Sequence, residues 1–135
     1  MNVYEKYRKM AEARQFFEEY RKLARLVDDL DIRFWKRFIL RNDRRYASID
    51  NDIAEEMLRK EYKSSVADLI TMRREVESAL ETVTDDLTRN LMREHFIRDL
   101  SIEEIADKWE IEEWRVGEMI QAGLLEAQHS NNLPK

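Results

Sequence analysis

The sequence predicts an all-α protein: N-terminal helices and one long coiled-coil-like helix, followed by a C-terminal helix-turn-helix. Three observations carry that expectation. The 135 residues include only two glycines and one proline, so helix breakers are nearly missing. Apolar residues recur at steps of three and four rather than alternating. No β-branched run is bounded by hairpin turn residues. Four segments follow: 1–50, helical with a basic aromatic patch; 51–83, the long helix; 84–127, the helix-turn-helix; and 128–135, a polar, flexible tail.

Residues 2–28 read as the first helix, with Val3, Tyr7, Met10, Phe17, Tyr20, Ala24 and Val27 near a three-four spacing and Phe16 and Leu23 widening the stripe. Asp28, Asp29 and Asp31 mark a break, and Asp31 caps a short helix reaching Arg41. Ile32, Trp35, Phe38 and Ile39 form the buried side of that helix. Arg33, Lys36, Arg37, Arg41, Arg44 and Arg45 form the densest basic cluster of the chain. Cations interleaved with aromatics suit an auxiliary nucleic-acid contact; a solvated face over an aromatic stripe, or pairing with acidic groups elsewhere, fits the same residues. The polar stretch Asn42–Asn51 is the natural linker.

From about Asn51 to Val83 nothing interrupts a helix, on the order of 48 Å at 1.5 Å per residue. Tyr62, Val66, Leu69, Arg73, Val76, Leu80 and Val83 follow alternating steps of four and three, a heptad seam with Arg73 as its polar member. The seam fits a homodimer through residues 62–83 or antiparallel packing on the first helix. Thr84 then caps a new helix, with Asp85 and Asp86 in its first turn and Leu87, Leu91, Phe96 and Ile97 facing inward.

The most informative stretch is Leu100–Leu124. Ile102, Ile105, Ala106 and Trp109 recur at helical spacing, and Val116, Met119, Ile120 and Leu124 do so again after a charged turn holding Ile111. Ser101 and Glu104 stand three apart as a capping box. The pattern is helix, short turn, helix, each burying one face. Leu100 through Ala106, with Ile111 and Val116, resembles the helix-turn-helix of sigma factor region four. Together with Arg73–Val76 and Leu91–Ile97 it is similar to phage late-transcription regulators of the ArpU/RinA type.

That resemblance implies a phage or prophage DNA-binding transcriptional regulator in a bacterial host. Its DNA contacts would fall on Lys108, Glu112, Glu113, Trp114, Arg115, Gly117, Glu118 and Gln121, with Arg115 and Gln121 reading bases and Lys108 touching phosphate. The chain departs from the pattern at Glu110, where glycine is usual, and at Glu112 and Glu113, where Ser, Thr or basic residues are usual. Carboxylates near a polyanion oppose binding. The alternative is therefore the same scaffold as an interaction or inhibitor module, whose acidic C-terminal face binds a basic host protein such as RNA polymerase.

The charge distribution bears on both readings. Residues 1–50 hold 13 Lys and Arg against 9 Asp and Glu; residues 51–100 hold 8 against 12; residues 101–135 hold 3 against 8. A basic front and an acidic back require partners to be considered by half. With no cysteine, disulfides, thiolate ligands and cysteine catalysis are excluded. The N-terminus lacks the apolar core of a signal peptide, so a cytoplasmic protein without membrane contact is expected. No catalytic constellation, cofactor motif or metal set emerges. Glu126 and His129 have di-metal spacing but lack the second such pair, and an enzyme is not expected. Gly117 either lets another backbone approach or avoids a clash with Trp109 or Trp114.

Overall fold

In a computed structural model the described residues are 2–41 and 49–128, with the side chains of 38–41 and 49–51 outside the description. The described chain is all-α: α1 (Val3–Arg41), α2 (Ile49–Glu81), α3 (Asp86–Met92), a π-helical turn (Arg93–Ile97), α4 (Ile102–Trp109) and α5 (Glu113–Glu126). It divides into two compact units, Met1–Arg21 with Met72–Lys135, and Lys22–Thr71. No described helix is long and apolar enough to cross a membrane.

The expected break at Asp28–Asp31 is absent, and α1 runs through it. An aspartate inside a helix costs only tenths of a kcal/mol, roughly 0.7 at most. Here Val27, just before the acids, and Leu30, among them, are buried, while Asp29 pairs with Arg33 one turn on. Asp31 accepts a hydrogen bond from the Tyr62 hydroxyl at 3.1 Å, which raises the phenol's pKa. In this unit Phe34 stacks on Tyr62, with ring centroids 5.9 Å apart, and Arg59 lies over the Phe34 ring. The pairs Asp31–Tyr62 and Phe34–Arg59 set the α1 and α2 portions of this unit antiparallel. Ile32 and Trp35, expected inside, are each 55% exposed, because Phe34 rather than Trp35 takes the inward position.

The other unit holds most of the fully buried side chains. Ala13, Phe16, Phe17 and Tyr20 of α1 are buried, but Val3 and Tyr7 of the expected stripe are not. Phe17 stacks on Phe96 at 4.8 Å. Val76, Leu80 and Val83 of the heptad seam are buried. Arg73 reaches the Tyr20 hydroxyl at 3.2 Å, which raises the guanidinium pKa. Burial pushes the Glu77 carboxyl up, yet hydrogen bonds from Arg93 and Arg73 together outweigh this and hold it below the usual range.

The cap of α3 is Asp85, not Thr84. The Asp85 carboxylate accepts from the Thr88 hydroxyl and backbone N–H, and both bonds lower its pKa. Three consecutive residues, Glu94, His95 and Phe96, are all buried. In a regular α-helix three neighbours sweep 200° of arc at 3.6 residues per turn. The π-helical turn widens the helix and brings all three inward.

The two glycines have opposite roles. A Cβ at Gly123 would strike the Met92 sulfur and come within 2.8 Å of Thr88 Cγ2, whereas one at Gly117 would meet nothing within 4 Å. Gly123→Ala is expected to lower stability by about 1–3 kcal/mol through overpacking. Gly117→Ala is expected to raise it by up to about 1 kcal/mol through helix propensity. Chemical denaturation of the two variants checks both signs.

Candidate recognition face on α5

The pair α4–α5 is built on three local devices. Ser101 caps α4 in a reciprocal box: its Oγ accepts from the Glu104 N–H and the Glu104 carboxylate accepts from the Ser101 N–H, both at 3.1 Å. Glu110 closes α4 in the left-handed conformation, φ 55° and ψ 45°. The N–H groups of Glu110 and Ile111 then both donate to the Ala106 carbonyl, which stops the helix and turns the chain. Glu112 opens α5 in extended conformation without a side-chain cap, and its carboxylate accepts from the Trp114 indole N–H at 3.1 Å.

Of the expected inner faces, Ile105 and Ala106 on α4 and Val116, Ile120 and Leu124 on α5 are buried, whereas Ile102, Trp109 and Met119 are half-buried. α5 rests on α3 and α4, and Gly123 allows its close approach to Met92 and Thr88. Its C-terminal end is tied to the α2–α3 connection. The Thr84 N–H donates to Glu126 at 2.9 Å, and the Gln128 N–H donates to the Thr82 hydroxyl at 2.8 Å. The bond from Thr84 lowers the Glu126 pKa. His129 lies outside the described residues, and no group of three or more metal-ligating side chains occurs among those described.

The approach to α4 is held by three polar contacts. Asp99 adopts a left-handed φ of 61° and accepts from Arg21 at 2.7 and 3.0 Å. His95 Nδ1 lies 2.8 Å from the Leu100 carbonyl, so Nδ1 carries the proton and donates. Glu94, 3% exposed, accepts from Arg98 and from Lys108, the latter at 2.9 and 3.0 Å. Lys108 is therefore engaged by the protein's own carboxylate, with its side chain about half exposed.

The remaining predicted site residues converge on one surface. Glu112, Glu113, Trp114, Arg115, Glu118 and Gln121 are exposed and Gly117 is partly so. Trp114 is 62% exposed. Because a Cβ at Gly117 meets nothing, the clash explanation for this glycine is excluded. Glu110 in the turn and Glu112, Glu113 and Glu118 at and on α5 are all exposed, Glu112 accepts from the Trp114 indole, and Arg115 is the one cation of α5. Of the basic cluster, Arg33 pairs with Asp29 and Lys36 is exposed; Arg44 and Arg45, and the Arg41 side chain, lie outside the described residues. Sequence reasoning missed Glu94. A glutamate flanked directly by Arg93 and His95 looks like surface, and the π-helical turn puts it inside.

The chain matches no known protein family, no curated protein and no solved structure. The class that fold and face define is thus an all-α protein with an exposed, acidic, tryptophan-bearing helix face.

Two outcomes test the local geometry. Left-handed backbone costs a non-glycine residue roughly 1–2 kcal/mol, so Glu110→Gly is expected to raise the melting temperature by several degrees. His95 has its pKa lowered by burial, aided by the charges of Arg21 and Arg14 and opposed by the Leu100 bond and Glu18. Between the folded pKa and the unfolded value of about 6.5, the unfolded chain takes up a proton that the folded chain refuses. Stability is full above about pH 6.5 and falls as pH drops below it. Melting between pH 7.5 and 5.5 is expected to show that decline, and His95→Gln to flatten it.

Proposed function

We propose that this protein is a non-catalytic docking module: a helix-turn-helix scaffold whose α5 outer face binds a basic protein surface. The observation that carries the reading is Trp114, 62% exposed, its indole N–H held by Glu112, on a helix that also exposes Glu113 and Glu118. Exposed tryptophans are typical anchors of protein interfaces. A set of exposed carboxylates steers encounter with a cationic partner and disfavours nucleic acid. The partner class follows from the sequence resemblance: RNA polymerase, or another protein that itself handles nucleic acid.

A second reading, a DNA-binding transcriptional regulator, has its own support. The left-handed Glu110 stands where helix-turn-helix proteins commonly place glycine, and Gly117 leaves the middle of the exposed face open to close approach. Arg115 and Gln121 would then contact bases. Against it, α5 carries one cation and Lys108 is neutralised by Glu94.

Co-purification from nuclease-treated extract separates the two. Docking predicts a basic protein retained after nuclease treatment and lost about tenfold or more with Trp114→Ala, the scale of a central aromatic anchor. Gly117→Ala is expected to keep the fold and weaken capture, since its methyl group would project into space that the partner uses. Capture of nucleic acid alone, with a low-salt mobility shift abolished by Arg115→Ala, would transfer the conclusion to the DNA reading.

A further inference from the structure

A second feature lies in the unit Lys22–Thr71. An open groove of about 700 Å³ runs between its two helical portions. Arg33, Lys36 and Arg37 form one wall; Ala54, Met57 and Leu58, with Glu61, form the other. Met57 is 68% exposed and Ile53, one turn before it, 56%. Methionine side chains adapt their shape to a guest. The groove is thus an apolar trough with a cationic rim, unlike the acidic surface of α5.

We infer that this groove receives the α5 corner of a second copy of the chain, in a head-to-tail contact that occupies the recognition face. The inference rests on the reading of that face as a protein-docking surface. Its support is complementarity in kind. The groove offers apolar methionine and leucine surface beside three cations. The corner offers an exposed indole beside Glu110, Glu112 and Glu113. A groove of that volume admits an indole ring, and the carboxylates flanking Trp114 then meet Lys36 and Arg33. The Arg33–Asp29 pair is more than half exposed on both sides; such exposed pairs are weak, so Arg33 can exchange Asp29 for a carboxylate of the guest. The uneven charge of the chain, basic in residues 1–50 and acidic in residues 101–135, gives the same polarity at longer range.

The consequence is regulatory. Groove and corner are different surfaces, so the contact is heterologous and leaves one free groove and one free corner at its ends. Self-association grows with concentration, weakens with salt, and removes corners from other partners. A contact this small is weaker than a standard interface of about 800 Å² per partner, which sets the experiment in the micromolar range and above.

Sedimentation velocity on the full chain, across concentration and at low and high salt, tests this. The wild-type chain is expected to form species that increase with concentration and dissociate with salt. The groove variant Arg33→Ala/Lys36→Ala and the corner variant Glu112→Gln/Glu113→Gln are each expected to be at least tenfold weaker in self-association; both are neutral, so the altered groove and the altered corner gain no attraction for each other. All four positions are solvent-accessible, and circular dichroism confirms that the fold is kept. The decisive sample is the mixture, with the groove variant supplying the intact corner and the corner variant the intact groove. Equal amounts are expected to give a one-to-one dimer that grows no further. A wild-type chain that stays monomeric at every concentration overturns the inference, as does association indifferent to both variants or a mixture that forms no dimer. The groove variant keeps its α5 face, so its capture of a basic partner from extract reports on the proposed function separately.

Discussion

A carboxylate that faces the interior organises the helices leading to α5. Glu94 is almost fully buried, and a buried charge must be paired and hydrogen-bonded. Two cations meet that need. Arg98 comes from the end of the π-helical turn and Lys108 from the last turn of α4. The position of α4 is thereby fixed to the segment before it. His95, bonded to the Leu100 carbonyl, and Asp99, held by Arg21, fix the connection between them. Once α4 is placed, the left-handed residue Glu110 determines where α5 leaves, and Gly123 determines how closely it lies on α3.

This arrangement divides α5 into two faces with different duties. Val116, Ile120 and Leu124 are sealed, and the C-terminal end is tied down through Glu126 and Gln128. Nothing described covers the opposite face. A rigid helix with a free surface loses little conformational freedom on binding. Lys108 of α4, about half exposed, is engaged by Glu94, while Glu112, Glu113 and Glu118 are exposed on the outer face. The surface left free is an acidic one, on a pair of helices whose inner faces are packed away.

Much of this was legible in the chain. The scarcity of glycine and proline, the Ser101–Glu104 box and the inward positions of α4 and α5 follow local rules that the structure obeys. What stayed hidden depends on tertiary context. Asp28, Asp29 and Asp31 read as a break because their local preference is for caps and turns; burial of Val27 and Leu30, with Tyr62 bonded to Asp31, overrides it. Trp35 and Phe34 are adjacent, and periodicity alone does not say which one meets Tyr62. The π-helical turn has no compositional mark, so Glu94 and His95 look like surface residues. The outer face of α5 was readable as a set of residues, whereas the engagement of Lys108 by Glu94 was not.

The central claim is that the outer face of α5 touches a protein. Photo-cross-linking from that face tests it most directly, with a photoreactive amino acid at Glu118 or Gln121 and, as control, at exposed Glu12 on α1. The account predicts cross-links to a basic protein from the two α5 positions and none of that species from the control. Cross-links from α5 to DNA alone, or a pattern identical to the control, would contradict it.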